Sequence, residues 1–151
     1  MQELIEKKHF ESLWSTIRSE YHSGSFEYVT PTKPFKTVVT SHFRSVRERN
    51  RYGVYIIRQK STMDVLYVGK GGTIKPNGEF KDQDLPGRLK AERAKLNSNQ
   101  WFGNLCNEYG PLVIEYIFLS AKPESPALVE AKLIQVYLNE FGKLPDKLQA
   151  F

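Results

Sequence analysis

Cysteine is nearly missing from this chain of 151 residues: Cys106 stands alone, so no internal disulfide can form. A single thiol also removes the cysteine-rich zinc sites, whose ligands come in closely spaced pairs. Histidine is almost as scarce, with His9, His22 and His42 dispersed through the N-terminal third. No Cys or carboxylate is spaced around them as a metal cluster or a catalytic triad would require. No apolar run approaches the roughly 18 residues of a membrane span. The segment from Met1 to Lys8 carries acidic residues and no apolar stretch, so no secretory signal is expected. A soluble, intracellular, cytoplasmic chain with no membrane partner is expected. Repeats and low-complexity tracts are absent, so an array architecture is excluded.

What is there in excess is positive charge. Twenty-two Lys and Arg against seventeen Asp and Glu give a formal charge of +5, a balance that favours polyanionic partners. The densest positive segment is Arg44, Arg47, Arg49 and Arg51, interrupted only by Glu48. It reads with equal weight as a solvated basic face or as an arm that contacts phosphates.

Apolar periodicity gives the elements. Phe10, Leu13, Trp14, Ile17 and Tyr21 share one helical face, so a helix is expected between Glu3 and Tyr21. Ser23 to Pro34 reads as a connector, and Thr37 to Thr40 as a short strand. Gly53 to Arg58 and Val65 to Val68 are rich in β-branched and aromatic residues and predict a hairpin turning near Ser61, with Tyr55 opposite Tyr67. The polar insertion from Gly71 to Asp84 contains Pro76, Asn77 and Gly78, which suit the turn of a second small hairpin. Asp84 can cap a helix running to about Leu96, with Leu85, Leu89 and Leu96 on its buried stripe. A further helix is expected from Gln100 to Glu108, then a buried strand from Leu112 to Leu119. A last long helix is expected from Ser125 and Pro126 to Phe141, ended by Gly142. The sum is an α+β fold: a small, mainly antiparallel three-stranded sheet flanked by helices. Residues 1–50 form an N-terminal helix and basic connector packed on a core of residues 51–151.

The last helix holds the main chemical anomaly. Ala127, Ile134, Tyr137, Leu138 and Phe141 define an apolar face with Glu130 in its middle. An ionised carboxylate buried there needs a cation, a donor or a metal, because desolvation otherwise shifts its pKa sharply. A structural ion pair and a metal site both meet that need. Arg88 lies beside the leucine stripe of its helix with Glu92 one turn on; the pair can be a surface ion pair, or Arg88 can point over the sheet toward an anion. Lys70 follows the glycine that ends the second hairpin strand. The string Gly69, Lys70, Gly71, Gly72 is not a P-loop, which needs a longer glycine-framed loop ending in Gly-Lys-Ser/Thr.

Gly53, Val54, Tyr55, then Tyr67, Val68, Gly69, Lys70, then Arg88, and Glu130 followed by Leu133 and Ile134, resemble the GIY-YIG nuclease superfamily over about Tyr52 to Gly142. The resemblance implies a metal-dependent endonuclease that hydrolyses DNA phosphodiesters with an activated water, of a restriction, mobile-element or repair type, acting on double-stranded DNA. It further implies that Glu130 holds one divalent cation, Mg2+ with Mn2+ as a substitute, and that Arg88 braces the phosphate. Of the two phenols, Tyr55 rather than Tyr67 would deprotonate or orient the water, and Lys70 would lower the phenol's pKa. Glu92 stands where many members have His or Tyr, and Asn139 projects from the polar face, so the family's asparagine role is not carried over. Both departures leave open a second reading, a nucleic-acid-binding module that keeps the fold with weak or no catalysis. A chain with one site cuts both strands only as a dimer or in two visits.

Overall fold

The computed structural model describes residues 9–30 and 32–151. Its elements are α1 (Phe10–Glu20), β1 (Ser23–Tyr28), α2 (Phe35–Arg44), β2 (Gly53–Gln59), β3 (Val65–Gly71), β4 (Thr73–Ile74), β5 (Phe80–Lys81), α3 (Leu85–Leu89), α4 (Ser98–Tyr109), β6 (Leu112–Phe118) and α5 (Pro126–Phe141). The expected start of the first helix, before His9, lies outside the described residues. Among the described residues no helix is long and apolar enough to cross a membrane.

The main sheet is antiparallel throughout, in the order β1-β6-β2-β3, and so has four strands where three were expected. The additional strand is β1, inside the segment read as a connector. Its glycine and serines hide an alternation that ends in buried Phe26 and Tyr28, and it covers what would otherwise be an open edge of β6. A side chain at Gly24 would collide with the Tyr116 hydroxyl on β6. The strand expected over Thr37 to Thr40 is instead the middle of α2. There β-branched propensity loses to the i, i+4, i+8 spacing of Phe35, Val39 and Phe43, all buried.

The sheet separates two cores. On one face Tyr55, Ile57, Ile114, Tyr116 and Phe118 pack with α2, α3 and α4; on the other Val54, Ile56, Val68 and Ile117 pack with α1 and α5. Alternation along β2 and β6 produces this division, since successive side chains point to opposite faces. Central β6 is buried along its whole length, as its apolar run predicts. It carries Glu115, whose carboxylate accepts from Trp14 Nε1 at 2.9 Å, Arg18 Nη1 at 3.2 Å and Arg58 Nε at 2.7 Å. Arg58 also donates to both oxygens of Glu11, so this network ties α1 to the middle of the sheet.

The hairpin forms, in a different register. Tyr55 pairs with Gly69 and Ile57 with Tyr67, and Leu66 is an extra residue in β3 at the irregularity beside Arg58. Because the slip is by two residues, Tyr55 and Tyr67 still share a face. The small β4–β5 hairpin turns through Pro76, Asn77 and Gly78, as expected, with Gly78 N donating to Lys75 O at 2.8 Å.

Asp84 caps α3 by accepting from Gly87 N, but α3 ends at Leu89 rather than near Leu96. Ala91 N bonds back to Arg88 O, a tightened last turn, and the chain then reverses between Arg93 and Leu96 through left-handed Ala94 (φ 49) and Lys95 (φ 68). The helix α4 opens with a capping box from Asn97 and Gln100. Helix α5 behaves as read: Ser125 caps it, Pro126 opens it and Gly142, at φ 71, closes it.

Candidate functional site

Helices α3 and α5 pack on β3, the edge strand of the sheet, from its two faces, and the candidate residues lie on these elements and on β2. Lys70 pairs with Val54 in the ladder, and Val54 belongs to the core beneath α5, so Lys70 lies on the α5 face. An open polar cleft of about 550 Å3 is lined by Lys70, Gly72, Thr73, Asp82, Gln83 and Arg88. Glu130 comes from α5 and is half-buried. The buried residues of that helix are Pro126, Val129, Leu133, Ile134 and Tyr137, and Glu130 falls within their arc. The predicted apolar face is corrected in part, because Ala127 and Phe141 are exposed: the helix turns its Val129 and Leu133 side to the sheet.

The Glu130 carboxyl is held above the usual carboxylate range by burial, and the positive charges of Lys70 and Arg88 pull it back down. These three groups therefore act on one another electrostatically, yet none of them takes part in an ion pair within 4.0 Å among the described residues. The surface pair of Arg88 with Glu92 does not form; Glu92 is exposed. Lys70 Nζ donates to Gly72 O at 3.2 Å, which steadies the ammonium at the cleft.

Tyr55 and Tyr67 lie on the opposite face, their ring centroids 6.0 Å apart and their planes inclined by 22°. Gly69 is required between them: a Cβ there would sit 2.6 Å from the Tyr55 Cζ and hydroxyl and 2.8 Å from Tyr67 Cε1. The Tyr55 hydroxyl is sealed from solvent and has no hydrogen-bond partner among the described residues. Its pKa is pushed up to about 12 by burial, against the opposing charges of Arg93 and Arg88, so the phenol is protonated at neutral pH. Two expectations change here. The solvent-accessible phenol is half-buried Tyr67, not Tyr55, and the cations acting on Tyr55 are Arg93 and Arg88, whereas Lys70 acts on Glu130. Arg88, influencing both Tyr55 and Glu130, links the two faces.

No family model, curated protein or solved structure matches the chain. The site is therefore read from its own chemistry.

The basic segment divides. Arg44, Arg47 and Arg49 are exposed. Arg51 is half-buried and donates through Nη2 to Phe43 O and Val46 O, both at 2.8 Å, closing the end of α2. The exposed side of α2 adds Lys36, Thr37, Thr40 and Ser41 to Arg44, and Lys90, two residues beyond Arg88, donates to Thr40 Oγ1 at 3.4 Å. Cations and hydroxyls thus line the exposed side of α2 as far as Lys90, just past the end of α3. Asn139 is exposed and accepts from Gln135, as its polar-face position implies.

Sequence reasoning missed Asp82, which brings a carboxylate to the cleft from a left-handed turn position, φ 66. It also missed Arg93, buried against Tyr55, Tyr67, Trp101 and Phe102. A helix continued from Arg88 would have turned residue 93 about 140° away from it, so periodicity carried no signal for Arg93.

Proposed function

We propose that this chain is a metal-dependent endonuclease of the GIY-YIG type, hydrolysing DNA phosphodiesters with an activated water. The observation that carries the reading is the convergence of Lys70, Arg88 and Glu130: two cations and a half-buried carboxylate that act on one another without neutralising one another by direct pairing. A fold-stabilising triad would close into ion pairs, as Glu115, Arg58 and Glu11 do. Lys70 and Arg88 line the open cleft, and Glu130, within reach of their charge, has no ion-pair partner among the described residues, which suits a substrate that supplies the missing contacts.

Glu130 fits a divalent cation of the Mg2+ kind, with Mn2+ as substitute. Its carboxylate is partly desolvated and has no ion-pair partner among the described residues. Mg2+ is commonly held by one or two carboxylates together with substrate phosphate oxygens. When bound it would supply charge neutralisation at the scissile phosphate.

The chain's own residues do the rest. Arg88 offers its fork of donors to the non-bridging oxygens as negative charge accumulates. Lys70 adds a second cation on the Glu130 side. Tyr67, on the face of β3 where the Arg88 helix packs and opposite Lys70 and Glu130, orients the attacking water toward a phosphate held by Arg88, with Tyr55 behind it. The exposed side of α2, with Arg47 and Arg49, receives the backbone of a DNA duplex.

The second reading is a nucleic-acid-binding module with weak or no catalysis. Sealing of the Tyr55 hydroxyl and the exposed Glu92 favour it. Incubation of supercoiled plasmid with Mg2+ or Mn2+, alongside Glu130→Gln, separates the two. Nicking or linearisation by the wild type and none by the variant is expected. Equal cleavage by both removes Glu130 from the mechanism, and binding without cleavage selects the module.

A further inference from the structure

Arg93 is 6% exposed and, unlike buried Arg58, has no carboxylate partner among the described residues. Its Nε and Nη1 meet no acceptor, and its one hydrogen bond runs from Nη2 to Arg88 O at 3.2 Å. Instead of an anion, the guanidinium has aromatic rings around it, with Trp101, Phe102, Tyr67 and Tyr55 centroids at 5.0, 5.3, 5.4 and 5.6 Å. All lie within the roughly 6 Å at which a ring face attracts a cation.

A second feature of the backbone points to the same residue. Arg93 and Leu96 exchange backbone hydrogen bonds, each 2.8 Å, across a turn whose central residues, Ala94 and Lys95, are both left-handed. Turns of that kind favour Gly, Asn or Asp, because a Cβ is strained at positive φ. Continuing α3 would have avoided both this strain and the burial of an unpaired charge. What the turn achieves is the placement of the guanidinium among four rings, Tyr55 and Tyr67 included.

The two side chains are only partly matched while the phenol is neutral. A guanidinium has donors only, and the neutral hydroxyl, though its oxygen can accept, offers no charge to match. They become matched when the oxygen is ionised, since phenolate is an acceptor that carries the complementary charge. We infer that Arg93 is a positioning residue that acts through Tyr55, the built-in counter-cation of a Tyr55 phenolate. The charged and titratable groups acting on that oxygen are Arg93, Arg88 and Tyr67. Arg93 is the buried cation among them, while Arg88 lines the open cleft, where solvent screens it. The inference rests on the nuclease reading only for the use it gives an ionised Tyr55, which stands behind Tyr67, the phenol that solvent reaches.

The test replaces Tyr55 with a ring-fluorinated tyrosine, whose phenol ionises nearer neutrality, and follows its 19F resonance against pH without metal or DNA. Arg93→Met fills the aromatic cage without charge and is expected to raise the midpoint by about one pH unit, a tenfold drop in the ionisation constant. Arg93→Lys keeps the charge and is expected to keep most of the wild-type midpoint, and Arg88→Met to shift it less than Arg93→Met. A midpoint unmoved in Arg93→Met, or raised as far in Arg93→Lys as in Arg93→Met, overturns the inference. Should Arg93→Met fail to fold, Arg93→Gln takes its place with the same expected direction. The titration needs no cleavage, so it can succeed when the plasmid assay fails and fail when the plasmid assay succeeds.

Discussion

Gly69→Ala is the sharpest test of how the two tyrosines are held. The new methyl group would begin 2.6 Å from Cζ and Oη of Tyr55 and 2.8 Å from Cε1 of Tyr67. Ordinary contacts between such atoms are about 3.5–4.0 Å, so the rings must retreat by about 1 Å. Tyr55 has no free space to retreat into: it is 0% exposed, with Arg93 against one side and the α2–α4 core against the rest. The substitution then belongs with overpacked cores, which lose about 1–3 kcal/mol. For a chain of this size a loss near 2 kcal/mol lowers the melting temperature by about 4–8 °C. A 1 Å displacement of site groups is also expected to slow plasmid cleavage by about 100-fold. Thermal unfolding by circular dichroism reads the first quantity and plasmid relaxation the second. Tyr55→Phe removes the hydroxyl but leaves Cζ, so the double variant should recover part of the stability loss, with a coupling of about 0.5 kcal/mol or more. Strict additivity, or an unchanged melting temperature in Gly69→Ala, would mean that the Tyr55 ring does not cross Gly69 and that the hairpin register is different.

Three further outcomes follow from other parts of the molecule. Glu115→Ala takes the shared buried acceptor from Arg58 Nε, Trp14 Nε1 and Arg18 while Glu11 still pairs with Arg58, and urea melts should show a loss of about 1–3 kcal/mol, against a smaller loss for Glu11→Ala, whose side chain is 64% exposed. The Glu130 carboxyl is raised in the folded chain, so its ionisation opposes folding: the stability it contributes is present at acid pH and lost as pH rises through the folded pKa. In chelator, Glu130→Gln should therefore melt above the wild type at pH 7, with the difference closing below the ordinary carboxylate range; a variant that melts lower at pH 7 would show that Glu130 supports the fold. Lys36→Ala with Arg44→Ala should weaken metal-free duplex binding and reduce the slope of log affinity against log salt by about 0.9 per lost phosphate contact, whereas an unchanged slope would remove α2 from the DNA path.

The residues most legible in the sequence are those whose chemistry conflicts with their neighbours. Glu130 stands out because a carboxylate interrupts an apolar arc, and the arc survives in the structure although its members shift from Ala127 and Phe141 to Val129 and Leu133. The ends of α5 are equally plain, since Ser125, Pro126 and Gly142 each satisfy a local backbone requirement. Strand β1 and helix α2 were hidden because their identity is decided by tertiary contacts. Phe26 and Tyr28 make a strand only once β6 is there to pair with, and the β-branched run from Thr37 to Thr40 is overruled by the aromatic anchors on either side of it. Hairpin register was equally out of reach, because the additional residue at Leu66 leaves no local mark.

Arg93 shows why a site read from sequence comes out incomplete. Lys70, Arg88 and Glu130 are each found on an element whose period or ending is visible, so their faces can be inferred before the fold is known. Arg93 reaches the site only because α3 stops early and the chain turns back through two residues that do not favour the turn they make. Propensity argues for helix at Ala94 and Lys95, so a local rule is broken at the position that delivers a buried, unpaired cation to Tyr55. Each anomaly alone permits a structural explanation: the turn could serve a loop, and the cation could be satisfied by its four rings. Their coincidence is harder to assign to packing, because a methionine would fill the same cage without the desolvation penalty. A charge that packing does not require, held against the ring of a tyrosine whose hydroxyl has no partner among the described residues, is better explained by an ionisation that the fold is built to accommodate.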